Sequence, residues 1–258
     1  MNTKIDDKKK AVFVAKKMFA QLVYDFQSLE GMPFTFPEVK TFIQGITVGG
    51  HKISDHDKLK QQQLAWEKLI DLVERNKFLL SEKTSCTLEG IAAKEEALVP
   101  GVLRDSTVSV SIGDFTFHPP EDEKQIKALF NTTIKNASDN TKSICERGYK
   151  MAADYAYNQF HWDGNKRTGN LMMNGLFLDN GLLPCPIPAK RLNEYNIALM
   201  KLYQKGQYKP VLDFHRSCHQ KLYKEWKMVY PAQKKSLLAA ERLKRQRANL
   251  SQNKGFSR

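Results

Sequence analysis

The sequence predicts a mainly α fold carrying one β-hairpin, and three observations predict it. Apolar residues recur at steps of three and four along most of the chain. A single stretch, residues 106–117, alternates apolar and polar residues instead. A polar turn, Asp163-Gly164-Asn165-Lys166-Arg167, opens a helix that is apolar nearly all round.

The elements follow in order. From Lys9 to Leu29 the apolar positions Val12, Ala15, Met18, Phe19, Leu22, Val23 and Phe26 mark one amphipathic helix, ended by Gly31-Met32-Pro33. A short helix is expected after Pro37 and stops before Gly49-Gly50. Ser54-Asp55 offers an N-cap for a longer helix through Leu64, Trp66, Leu69, Ile70 and Val73. Thr84 to Ala97 reads as a helix closed by Pro100-Gly101. Val108, Val110 and Ile112, then Gly113-Asp114, Phe115 and Phe117, read as a two-stranded hairpin ended by Pro119-Pro120. A lone hairpin is marginal unless it packs on something, so it needs a reason to exist. Glu121 to Asn136 and Thr141 to Asn158 are helical, the second turning Ile144, Tyr149, Met151, Ala152 and Tyr155 to the core. The apolar helix Leu171 to Leu178 ends at Asn180-Gly181, a left-handed C-cap. Ile187 to Lys209 and Val211 to Val229 supply the last helices.

At 258 residues with 41% hydrophobic and 27% charged residues, the chain has the composition of a folded protein. No stretch approaches a membrane span, no signal-peptide core follows Lys8-Lys9-Lys10, and a cytoplasmic location with no membrane partner is expected. Cys86, Cys145, Cys185 and Cys218 form no C-x-x-C pair, so reduced thiols are expected. His215 and His219 stand four apart without a third ligand, which disfavours a metal site. The net charge is +13, and the stretch from Lys234 to Arg258 has eight Lys or Arg against one acid. That charge sits on a tail, so nucleic acid is a weak partner expectation resting on charge alone.

The turn Asp163 to Arg167 carries the chemistry. The first turn of a buried helix presents unpaired N–H groups and a partial positive charge, which suit an anion. Gly164 lets the backbone come close, Lys166 and Arg167 add charge, and Asp163 could hold Mg²⁺. The competing reading is a capped turn in which Asn165 satisfies helix donors, and local spacing does not separate the two.

The segment Gln159-Phe160-His161-Trp162-Asp163-Gly164-Asn165-Lys166-Arg167-Thr168 resembles the Fic/Doc family signature H-x-F-x-[D/E]-G-N-[G/K]-R. Pro100 to Arg104, the hairpin, His118-Pro119-Pro120 and the apolar helix occur in the family's order, so the likeness runs from about Phe34 to His219. The resemblance implies a Fic-like helical bundle with the hairpin as a flap over the active site. It implies an ATP-Mg²⁺ site and transfer of AMP to a hydroxyl of a target protein. By position, Asp163 would ligate Mg²⁺, Gly164 to Arg167 would form the anion hole, Asn165 would hold the α-phosphate and Arg167 the outer phosphates. Thr168 and Asn170 complete the nucleotide-binding set, and Val108, Val110 and Ile112 would dock a target segment by β-augmentation. Three parts are expected: an N-terminal helix (1–33), a Fic-like domain (34–220, flap 106–117, loop 159–168) and a basic tail (221–258).

The sequence departs from the pattern where the chemistry lies. Gln159 takes the place of the histidine base and cannot titrate near neutral pH, so a weakened or absent activity is expected. His161 either supplies the missing base or fills the slot of the family's buried phenylalanine, the latter being preferred. Lys166, with Asn170 in place of a second arginine, resembles Doc-like members, which keeps phosphoryl transfer as an alternative beside an inactive nucleotide-binding regulator. The family's inhibitory pattern [S/T]-x-x-x-E-[G/N] is matched in letters by Ser85 to Gly90, at a suspect place. The better-placed segment ends in Gln44, so no glutamate clamp is expected.

Overall fold

The computed structural model describes residues 7–112 and 114–231. These residues fall into a main unit ending at His219 and a second unit beginning at Gln220. The basic tail from Lys234 lies outside the described residues.

Among the described residues the architecture is ten α-helices and one antiparallel hairpin. The helices are α1 (Asp7–Lys17), α2 (Phe19–Leu29), α3 (Phe36–Ile43), α4 (Ile53–Glu74), α5 (Glu82–Ala92), α6 (Glu123–Ser138), α7 (Ile144–Asn158), α8 (Asn165–Asp179), α9 (Leu192–Lys205) and α10 (Lys209–Glu225). Strands β1 (Val110–Ile112) and β2 (Phe115–Phe117) pair Val110 with Phe117 and Ile112 with Phe115. The mainly α class with one hairpin is as the sequence predicts.

Several boundaries differ, each for a local reason. The expected helix 9–29 is two, because Met18 leaves helical geometry between α1 and α2. Ser54 is not the N-cap of α4, which begins at Ile53 after Lys52. Leu64 of α4 faces outward, whereas Trp66, Leu69, Ile70 and Val73 are buried as expected. Helix α5 starts earlier than Thr84 because Ser81 caps it, its hydroxyl accepting the Thr84 N–H at 3.2 Å. The Asp122 carboxylate does the same for α6. A 3₁₀ turn at Ala189–Arg191 precedes α9, and Gly206 in the left-handed region closes it.

The antiparallel pair α7 and α8 forms the platform of the fold. Every residue of α8 from Arg167 to Leu178 is buried, which answers its all-round apolar sequence. Its close approach to neighbours depends on missing side chains. A Cβ at Gly148 would lie 2.3 Å from the Phe177 ring, and one at Gly169 would lie 2.6 Å from the Tyr155 Cβ. The core is thus jigsaw-packed directly beneath the turn that starts α8.

Candidate functional site

Helix α7 ends at Gln159 in the left-handed conformation (φ 49°), and α8 begins after Gly164, also left-handed (φ 66°). Between them the chain makes a tight loop held by its own side chains. Asn165 is its hub: the carboxamide oxygen accepts the His161 N–H at 2.8 Å, and the amide donates to the His161 carbonyl at 2.8 Å. The same amide donates to the Gln159 side-chain oxygen at 3.0 Å, and the Gln159 amide donates back to the Ala156 carbonyl. Asn165 thus braces the loop and caps no helix donor: α8 begins after Gly164 without a side-chain cap bond, so the reading in which Asn165 satisfies helix donors is not met.

The loop and the start of α8 line a cleft of about 240 Å³ that they share with the hairpin. Of the residues expected to act, Gln159, Asp163, Gly164, Asn165 and Lys166 line it, as do Val108 and Val110 of the hairpin side. Ile112 does not. Glu30, Ser109, Ser111, Trp162 and Tyr203 complete the lining, none of them a site residue expected from the sequence. Thr168 is fully buried with its hydroxyl unpartnered among the described residues. Asn170 is buried too, donating to the Lys166 carbonyl at 2.7 Å.

His161 is fully buried, and both ring nitrogens are taken. Nδ1 faces the Val102 carbonyl at 2.7 Å and therefore carries the proton, so Nε2 accepts from the Ser85 hydroxyl at 2.9 Å. Ser85 in turn accepts from the Tyr155 hydroxyl at 2.8 Å. Burial lowers the His161 pKa to about 4. A neutral ring with no free nitrogen and no solvent access is packing, and the expectation that it supplies the base meets no support in this geometry.

Three further residues bear on the glutamate expectation. Gln44 is exposed at the C-cap of α3. Glu89 of α5, the acid of the suspect letter match, lies buried against the loop, accepting the Gly101 N–H and standing 4.0 Å from His161 Nδ1. Burial raises its pKa to about 7. Glu30, the C-cap of α2, also lines the cleft, with Oε1 3.1 Å from Arg167 Nε. Glu30-Gly31 satisfies the last two letters of the inhibitory pattern, but Phe26 stands at the first, so a strict letter search passes over it.

Arg167 is enclosed by acceptors. Besides Glu30, Glu96 Oε2 lies 2.5 Å from Nη1, Asp163 Oδ1 lies 3.3 Å from Nη2, and the Ala92 carbonyl accepts from Nη1 at 2.7 Å. Burial opposes its charge, but Glu30 and Glu96 outweigh burial and raise its pKa. Arg104 is the second buried guanidinium. It donates to the carbonyls of Ser106 and Pro120, on the two stems of the hairpin, and to those of Asn158 and Gln159 at the loop entrance.

The cysteines are free, as expected. No cluster of three or more His, Cys, Asp or Glu side chains with metal-holding geometry occurs among the described residues; His219 is bonded to the Tyr149 hydroxyl and the Leu183 carbonyl, both at 2.8 Å. No described helix is long and apolar enough to cross a membrane.

No protein-family model matches the chain. Curated relatives do: the protein adenylyltransferase Fic of Drosophila yakuba is 26% identical over 210 residues, which is 80% of this chain and 41% of the relative. That of Drosophila mojavensis is 25% identical with the same coverage. The chain thus spans about two fifths of the length of these relatives. Among solved structures, a Fic domain containing signalling protein of Bacteroides thetaiotaomicron superposes with a TM-score of 0.70 at 16% identity, covering 85% of this chain and 87% of that one. Fic-1 of C. elegans gives 0.69 at 15% identity, covering 87% and 66%. The chain is thus similar in sequence to these Fic adenylyltransferases over most of its length and shares the helical fold of the solved Fic structures.

Proposed function

We propose that this protein binds a nucleoside triphosphate, ATP with Mg²⁺, in the cleft between loop 159–168 and the hairpin, and that it transfers AMP to a target hydroxyl slowly. The single observation that carries the reading is the start of α8, where Gly164, Asn165 and Lys166 line a cleft lined on the hairpin side by residues 108–111. The adenylyltransferase names of the relatives support the same direction.

Asp163 fits a Mg²⁺ ligand. Its side chain is half exposed, its Oδ1 accepts the Gly164 N–H, and a carboxylate open to water suits a cation that keeps most of its waters. When bound, the ion would offset the negative charge of the phosphates. In the transfer, the target oxygen would bond to the α-phosphorus while the bond to pyrophosphate breaks. The hydroxyl proton has no side-chain acceptor at Gln159, an amide already bonded to Asn165 and Ala156, so it must leave to water or to a phosphate oxygen. Loss of a general base removes about 10²- to 10⁴-fold of rate, which makes slow turnover the expectation. The open edge of β1 would take a target strand main chain to main chain, with Val108, Val110 and Ile112 setting its register.

Incubating lysate with the protein and α- or γ-labelled ATP tests the reading. Label from the α position means AMP transfer, and label from γ alone means the Doc-like phosphotransferase reading that Lys166 and Asn170 favour. No label from wild type, with α-label from Gln159→His, means a dormant nucleotide-binding protein. Absence of ATP binding sinks the proposal.

A further inference from the structure

Helix α1 buries Ala11, Val12, Val14 and Ala15 on the side where it packs on α4 and α8. Its opposite face carries Lys9, Lys10, Phe13, Lys16 and Lys17, all exposed, at the steps of three and four that align side chains on a helix. Phe13 stands at the centre of these lysines with 54% of its surface exposed. The Lys17 ammonium lies 5.5 Å from its ring centroid. Stability of the fold does not account for this face. Lys8, Lys9 and Lys10 crowd the start of the helix, where its dipole opposes positive charge. Lys8 is tied to Asp179 and Lys16 to Glu74, each at 2.6 Å, whereas Lys9, Lys10 and Lys17 have no ion pair among the described residues.

Beside Phe13 the surface is concave. A pocket of about 380 Å³ is lined by Lys9, Val12, Phe13 and Lys16 of α1 and by Glu74 and Asn76 at the end of α4. Lys8 ties this region to Asp179, the last residue of α8, while the nucleotide cleft lies at that helix's first turn, about 20 Å away along its axis. Ammonium groups around an exposed aromatic and a pocket suit carboxylates flanking an apolar side chain. A second copy of this chain, with its net charge of +13, would bring like charge to the face. A lipid bilayer or a nucleic-acid backbone would use the lysines and leave the pocket unfilled. We infer that the exposed face of α1 is a docking site for an acidic peptide segment of a partner protein, whose apolar side chain enters the pocket while its carboxylates meet Lys9, Lys10 and Lys17.

The probe is a pool of fluorescein-labelled peptides of aspartate and glutamate, each with one central leucine, methionine, phenylalanine or tryptophan, titrated by anisotropy against the full chain. Saturable binding is expected. It should weaken about tenfold with Phe13→Ala, with Lys9→Glu and Lys17→Glu together, and with glycine at the peptide's centre. Raising the salt from about 50 to about 500 mM should weaken it too. These side chains are exposed, so the variants' melting temperatures should stay within about 2 °C of wild type. The basic tail attracts acidic peptides by charge alone, so binding that Phe13→Ala and the central glycine leave intact overturns the inference, as does the absence of saturable binding. Binding to vesicles of equal phosphatidylserine and phosphatidylcholine, or to duplex DNA, that the same variants abolish and the peptides do not displace, overturns it as well.

Discussion

Glu30 lies 3.1 Å from Arg167, so a carboxylate at the C-cap of α2 pairs with a guanidinium in the first turn of α8. If Arg167 is a phosphate ligand, Glu30 competes with the nucleotide for it. Glu30→Ala should therefore tighten Mg-ATP binding by about fivefold, equivalent to about 1 kcal/mol for a partly exposed pair. Titration of the variant against wild type decides it, and equal affinities would remove Glu30 from any inhibitory role.

Gln159 holds the base position with an amide that is already bonded on both sides. Gln159→His should raise α-label incorporation by about 10²-fold or more if the rest of the site is competent. Initial rates of labelling on one purified target measure this. A variant that folds and binds ATP yet labels no faster would place the defect elsewhere.

His161→Ala should act on stability rather than chemistry. It would open a cavity and leave the Ser85 hydroxyl and the Val102 carbonyl without their partner, a loss of about 3 kcal/mol. Urea unfolding at neutral pH gives the figure. A stable, folded variant with lost transfer activity would instead make His161 a chemical residue.

Gly164→Ala tests the turn. The left-handed backbone disfavours any side chain by about 1–2 kcal/mol, and the new Cβ would lie 2.7 Å from the Ala93 Cβ. Loss of Mg-ATP binding with a lowered melting temperature is expected; retention of full affinity would contradict the anion-turn reading.

Acid should destabilise the main unit through two histidines of α10. Burial lowers His215 to about 3, helped by the neighbouring His219, and burial lowers His219 to about 4, both from an ordinary 6.5. Both remain neutral when folded, while the unfolded chain takes up their protons below pH 6.5. The stability they confer is complete above that pH and is lost as pH falls toward 4. His215→Phe, which keeps a ring beside Tyr149 and removes an unpartnered nitrogen, should flatten the pH dependence of the urea midpoint between pH 6.5 and 4. An unchanged slope would contradict the assignment.

Features carried by neighbouring residues were legible in the sequence. The turn at Gly164, the all-round burial of α8, the hairpin register and the substitution at Gln159 each follow from a few adjacent letters. What the sequence did not reveal comes from packing between distant segments. Glu30, Glu96 and the Ala92 carbonyl reach Arg167 from the end of α2 and from α5 and the turn after it, and no local spacing announces that meeting. Tyr203 reads as one more core position of an amphipathic helix, and only the cleft distinguishes it. Glu30 likewise carries no local signal, since Phe26 stands at the first letter of the pattern and its approach to Arg167 follows from where α2 ends.

Arg104 has a mechanical consequence. Because one side chain grips both stems of the hairpin and the entrance to the loop, the two are joined by a single rivet. On the proposed function, a target strand that tugged on the hairpin would also load the peptide of Gln159. Lengthening the hairpin leaves that linkage in place; loosening the rivet uncouples recognition from the turn it serves.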